Sequence, residues 1–174
     1  MRKILLLSSM VIGLSVAGCG GDDDGGDGGK ADPNCFDYSS FTAADVSLST
    51  DVMPIFQNSC SFSSSCHGSE SGSAGKSYLG PAAGVAPTPE QIQAMISQNV
   101  GVESTVDSGM SRIAAGDAAN SFLMHKVDNT LKCGDLDCAA DSSCGLSMPL
   151  GGASIAAADA NKIRSWIQQG AKNN

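Results

Sequence analysis

Between residues 60 and 68 the chain reads Cys60-Ser61-Phe62-Ser63-Ser64-Ser65-Cys66-His67-Gly68, two thiols and an imidazole within eight residues. Far downstream, Gly145-Leu146-Ser147-Met148-Pro149-Leu150-Gly151-Gly152 presents a thioether in a glycine-flanked loop. Thiols can cross-link, attach to a prosthetic group or ligate a metal. An imidazole nitrogen with a thioether sulfur suits copper or iron better than hard cations. Pro149 restricts Met148 to extended backbone, which stiffens the loop that carries the sulfur. The chain's other imidazole, His125, sits beside Lys126 and is expected to be exposed, with replacement of Met148 as a ligand the alternative. At this level Cys60 and Cys66 can equally form a disulfide.

The elements that must position these groups read as helical. Thr88-Pro89-Glu90-Gln91 is a helix start: Thr88 caps, Pro89 occupies the first turn and Gln91 completes a capping box. Ile92, Met95, Ile96 and Val100 follow at helical spacing. Asp117 is placed to cap a helix running through Val127, with Ala119, Leu123 and Val127 on one face. Ser154 precedes an Ala-rich helix bearing Ile163, Trp166 and Ile167, and Gly170 ends it. Asp51 to Phe56 reads as a shorter helix running into Cys60. No stretch alternates as a strand would, and no segment repeats. The expectation is an all-α domain with long loops at 68–87 and 132–152, which need a prosthetic group or disulfides to hold them.

Four motifs then stand in order: the Cys60–Gly68 segment; Arg112-Ile113-Ala114-Ala115-Gly116-Asp117 with Ser121 and Lys126-Val127; the Met148-Pro149 loop; and Lys162-Ile163-Arg164-Ser165-Trp166-Ile167-Gln168-Gln169-Gly170-Ala171. Together they resemble class I c-type cytochromes, especially small envelope cytochromes with an early Cys-His pair, a late Met-Pro loop and a Trp-Ile-x-x-Gly-Ala C-terminal helix. The resemblance covers roughly residues 50 to 172. It implies a covalent haem c on Cys60 and Cys66, with His67 the proximal and Met148 the distal iron ligand. A thioether donor favours ferrous iron and raises the potential, and two filled axial positions suit electron transfer more than catalysis. The family spacing would place a cysteine where this chain has Ser63; here five residues separate Cys60 from Cys66. A longer spacer can bulge and still reach, whereas a shorter one could not. The rival expectation is a haem-free, disulfide-stapled domain acting as a binding or structural module, and a third is a copper site on His67 and Met148.

Apart from Cys19, six cysteines remain, and six allow fifteen pairings. Sequence alone does not choose among them; Cys35, Cys133, Cys138 and Cys144 are the disulfide candidates, enough for two bridges even if haem takes Cys60 and Cys66. The spacings do not match a zinc pattern. Asp135, Asp137 and Asp141 lack the ligand order and glycine of a calcium loop and read as a solvated acidic segment. Gly75-Lys76-Ser77 lacks the leading glycine of a phosphate loop, since Glu70 stands there. Ser73-Ala74-Gly75-Lys76 has no partner motif for a serine hydrolase. Nothing in the chain argues for an enzyme.

The N-terminal region reads as an export signal. Arg2 and Lys3 precede a short apolar run from Ile4 to Ala17 that closes on Val16-Ala17-Gly18-Cys19, the pattern of a lipobox. The expected organisation is a lipoprotein signal peptide at 1–18, a lipidated Cys19 with a flexible Gly/Asp linker at 19–34, and the cytochrome c-like domain at 35–174. The linker has little apolar surface to offset the entropy of ordering, and its reach is on the order of 20 Å. Loss of Arg2 and Lys3 with the signal leaves 8 basic against 18 acidic side chains, a net charge of −10. That excludes nucleic acid as a partner, since phosphates need a basic face. The expected partners are a membrane, through the lipid, and a redox protein with a basic face. Gly20 after Cys19 directs the expectation to the outer membrane, on its periplasmic or surface face.

Overall fold

The computed structural model of the chain describes residues 35–71, 77–107, 109–133, 136–139, 141, 143–151 and 154–174. The export signal, Cys19 and the linker lie outside the described residues, as do Gly75, Lys76 and Asp135. Among the described residues there are four α-helices and no strand: α1 Met53–Ser59, α2 Pro89–Asn99, α3 Phe122–Asp128 and α4 Ala157–Gln168. A π-helical turn, Leu48–Val52, runs directly into α1. Single β-bridges join Val100 to Ile113, Glu103 to Ser111 and Ser111 to Ser121. The domain is all-α, as its sequence indicates.

Local chemistry accounts for the helix ends. At α2 the Thr88 hydroxyl accepts from the Gln91 N–H at 3.3 Å, while the Gln91 side chain accepts from the Thr88 N–H at 3.0 Å. That reciprocal pair satisfies two of the N–H groups a helix leaves unpaired. At the end of α4, Ala171 N–H donates to Trp166 C=O and Gly170 N–H to Ile167 C=O, both at 2.9 Å. This is a Schellman closure, and Gly170 takes the positive φ of 98° that it requires. The helix expected from Asp117 starts later, at Phe122. Asp117 instead closes a turn, accepting from the Asn120 N–H at 3.1 Å and from the Asn120 side chain at 2.7 Å. The Ser121 hydroxyl accepts from the Ala114 N–H at 2.8 Å and donates to Asp117 C=O, also at 2.8 Å. Short polar side chains compete with the helix for backbone groups here, and they win.

The core forms where the π-turn meets α1 and α4, and α4 packs on α3. Leu48, Val52, Met53, Phe56, Met95, Ile113, Met124, Ile163, Trp166 and Ile167 are all buried. Trp166 meets Phe56 edge-to-face, ring centroids 6.2 Å apart, and its indole N–H donates to Lys172 C=O at 2.8 Å. One charge pair crosses the α3–α4 contact. Arg164 is 1 % exposed and reaches both carboxylate oxygens of Asp128, at 2.7 and 2.6 Å. Its guanidinium lies 3.5 Å from the ring centroid of Phe36. The arm carrying Phe36 is fixed by a disulfide from Cys35 to Cys133, which closes a loop spanning 98 positions. A second bridge joins Cys138 to Cys144. The four cysteines set apart as disulfide candidates thus pair as two bridges.

Candidate functional site

The Cys60–Gly68 segment folds as a tight bulge at the end of α1. The His67 N–H donates to Cys60 C=O at 3.2 Å, closing the loop, while the N–H groups of Cys66 and Gly68 both donate to Ser63 C=O at 3.1 Å. Gly68 has no alternative here, because a Cβ would lie 2.8 Å from the Ser63 carbonyl oxygen and 2.9 Å from that of Ser61. This folding takes up the five residues between the cysteines and brings Cys60 and Cys66 to one cavity. Neither is in a disulfide. An arrangement with all six domain cysteines paired is therefore not the one adopted. Burial pushes the Cys60 thiol up to about 12, and the neighbouring Cys66 adds to the rise, so Cys60 is a neutral thiol at physiological pH.

His67 is oriented from behind. Its Nδ1 donates to Ser77 C=O at 2.7 Å, since a carbonyl only accepts, and this leaves Nε2 as the ring nitrogen with no partner among these contacts. A backbone partner of this kind is what commonly fixes a metal-binding imidazole. Ser77 is itself held: its hydroxyl donates to the Asn99 carbonyl oxygen at 2.5 Å. The Asn99 amide donates to Tyr78 C=O and Met95 C=O, both at 2.7 Å. Asn99 is 1 % exposed at the last position of α2, so the capped helix sets the carbonyl that sets the imidazole.

Cys60, Cys66, His67 and Met148 all line one cavity of about 310 Å³. That is within the range of small-molecule and cofactor sites. The walls are largely apolar, with Leu79, Ile113, Phe122, Leu123, Val127 and Ile155 contributing. Arg112 and Lys126 bring two cationic side chains to it, Arg112 anchored by donating to Gln98 C=O at 2.7 Å. Phe62 and Leu150 also line the cavity while 62 % and 65 % exposed. Apolar side chains therefore stand between the cavity and solvent. The peptide between Met148 and Pro149 is cis.

His125 departs from its expected exposure. It is 6 % exposed, with Nδ1 3.1 Å from the Thr130 hydroxyl and Nε2 3.1 Å from Ala119 C=O. Both ring nitrogens are engaged, so it does not compete with Met148. It lines a second hollow, about 510 Å³, with Asp107 and Asp137. Asp107, Cys138 and Cys144 present possible metal-ligand atoms within 4.8 Å of one another, but both sulfurs are committed to a disulfide. Asp137 and Asp141 are exposed, as a solvated acidic loop would be. Asn99 was not legible as a site residue: an Asn near a helix end ordinarily reads as a cap, and only its burial shows what it holds. No family model, curated protein or solved structure matches this chain.

Proposed function

We propose that this protein transfers electrons in the cell envelope as a lipid-anchored, mono-haem c-type cytochrome. One observation carries the reading: two unpaired cysteines, an imidazole oriented by a backbone carbonyl and a thioether, spread in sequence from Cys60 to Met148, line a single, largely apolar cavity. The donor set fits haem c. Cys60 and Cys66 would hold the haem covalently through thioether links, while His67 and Met148 would supply the protein's donors to its iron. A bound haem would contribute one reversibly held electron at its iron, at a potential raised by the methionine sulfur.

The chain's own residues account for the rest. Ser77 C=O fixes the His67 ring, and Asn99 fixes Ser77. The apolar walls exclude water, which lowers the local dielectric and stabilises the less charged redox state. Arg112 would offer a cation to carboxylate groups of the cofactor. With two donors from the chain, a bound haem would be suited to electron transfer more than to catalysis. The mature net charge of −10 suits a redox partner with a basic docking face. The lipobox at Cys19 supplies the anchor, and the outer membrane is the proposed location.

The five-residue spacer favours a second reading, a haem-free module whose cavity takes an apolar ligand without covalent attachment. The two separate in one experiment. The chain is expressed with a cytochrome c maturation system, its oxidised and reduced visible spectra are recorded, and a denaturing gel is stained for haem. A Soret band with haem retained on the denatured chain supports the cytochrome. A colourless protein whose Cys60 and Cys66 both react with a thiol reagent overturns it.

A further inference from the structure

We propose that Lys126 is a positioning residue that locks the Met148 loop onto the cavity, an inference that rests on the cytochrome reading for its function but not for its geometry. The loop from Cys144 to Gly151 belongs to no helix, and it exposes Leu146 and Leu150 by 68 % and 65 %. Gly145 and Gly151 adopt positive φ of 71° and 67°. Such a segment has large conformational freedom, and a ligand on it is placed only if its backbone is tied down.

One residue does much of the tying. The Lys126 ammonium donates to Cys144 C=O and, at 2.9 Å, to Leu146 C=O, the two carbonyls flanking Gly145. The Lys126 main-chain carbonyl accepts from the Met148 N–H at 2.8 Å. Three backbone groups of the loop therefore converge on a single helical residue. The ammonium also lies 5.3 Å from the ring centroid of Phe122, one turn earlier on the same face.

The helix that carries Lys126 is itself held at both ends. The Phe122 and Leu123 N–H groups donate to Ser111 C=O at 3.0 Å and Arg112 C=O at 2.9 Å. Asp128, at its other end, is gripped by Arg164. Phe122, Leu123 and Val127 form cavity wall alongside Lys126. The helix thus fixes the wall and, through the lysine, the loop bearing the distal sulfur. A rigid element supporting a mobile ligand segment is what precise placement requires.

The test compares Lys126→Leu, Lys126→Arg and Lys132→Leu, an exposed lysine outside the cavity, in the full chain. Three readouts are taken: covalent haem by denaturing gel, the methionine–iron charge-transfer band with the midpoint potential, and amide exchange of residues 144–151 in haem-free protein. Lys126→Leu is expected to retain covalent haem, lose the charge-transfer band, lower the potential and speed exchange across 144–151 at least about tenfold, the size expected when one or two net hydrogen bonds are lost. Lys126→Arg, which retains charge and donors, restores most of each, and Lys132→Leu changes none. An unchanged band, potential and exchange rate in Lys126→Leu overturns the proposal. Should Lys126→Leu fail to fold, Lys126→Gln, too short to span both carbonyls, replaces it with the same expected losses. If the unsubstituted chain takes no haem, the cytochrome reading fails, and exchange in the haem-free chain still decides whether Lys126 holds the loop.

Discussion

Met148 and Cys60 show most clearly how single side chains set the behaviour of the site. Met148 is half-buried on a loop rather than in the core, so its removal is expected to alter the cofactor more than the fold. In the haem-loaded protein, Met148→Ala should abolish the charge-transfer band and lower the midpoint potential, with far-ultraviolet circular dichroism unchanged; an unaltered spectrum would remove Met148 from the ligand set. Cys60 contributes to the alkaline limit of the haem-free chain. Its thiol rises from 9.0 to about 12 on folding, through burial and then Cys66, and Tyr38 rises from 10.0 to about 12, through burial and then Asp128. Each group is neutral when protonated and has the higher pKa in the folded state. The stability they confer is therefore complete below pH 9, and it is lost as pH climbs from there through about 12. Urea midpoints followed upward from pH 9 should fall, and Tyr38→Phe should remove the tyrosine share; a flat profile contradicts the assignment. The candidate donors could be picked out of the sequence because the chain has two histidines and one of them follows a cysteine directly. Their backing groups, the Ser77 carbonyl and the Asn99 amide, were not, since a carbonyl has no sequence signature.

The helices, as elements, depend on how they are joined as well as on how they are capped. The α3–α4 contact contains a buried ion pair, with the Arg164 and Asp128 side chains 2 % and 10 % exposed. Removing one partner leaves an uncompensated buried charge, so Asp128→Ala is expected to cost about 3–5 kcal/mol in chemical denaturation. Lys162 and Asp51 are 3.8 Å apart with side chains 44 % and 34 % exposed, and Lys162→Ala should cost less than about 1 kcal/mol. Equal losses for the two variants would refute the burial argument. The start of helix α2 was legible to the residue, because a capping box and Pro89 are local chemistry, whereas Val100, at helical spacing, is the extended residue that ends it. The start of helix α3 was not: Asp117 read as its cap, yet the Asp117, Asn120 and Ser121 side chains close a turn before it, and Ser121 pairs with Ser111. Arg164 likewise looked like an ordinary helix residue until the aromatic arm fixed by Cys35 covered it.

For the whole molecule, the proposal joins an acidic domain of modest size to a membrane through one lipidated cysteine. Cys19→Ser is expected to move the protein from the detergent-extracted membrane fraction to the soluble fraction, because each buried acyl methylene contributes about 0.8 kcal/mol of membrane affinity. Retention in the membrane after that substitution would place the anchor elsewhere. No helix among the described residues is long and apolar enough to cross a bilayer.

What the sequence alone determined is whatever rests on near neighbours or on composition. That covers the helical class, the capping box at Thr88, the Gly170 stop, the acidic charge and the short list of soft donors. Tertiary structure decided the rest: how the four candidate cysteines pair, that Cys60 and Cys66 are left unpaired, that His125 is sealed by Thr130 and Ala119, and that Met148 shares a cavity with His67. These depend on contacts between residues far apart in the chain, whose partners are chosen by closing loops and burying apolar surface together. No local pattern encodes that choice.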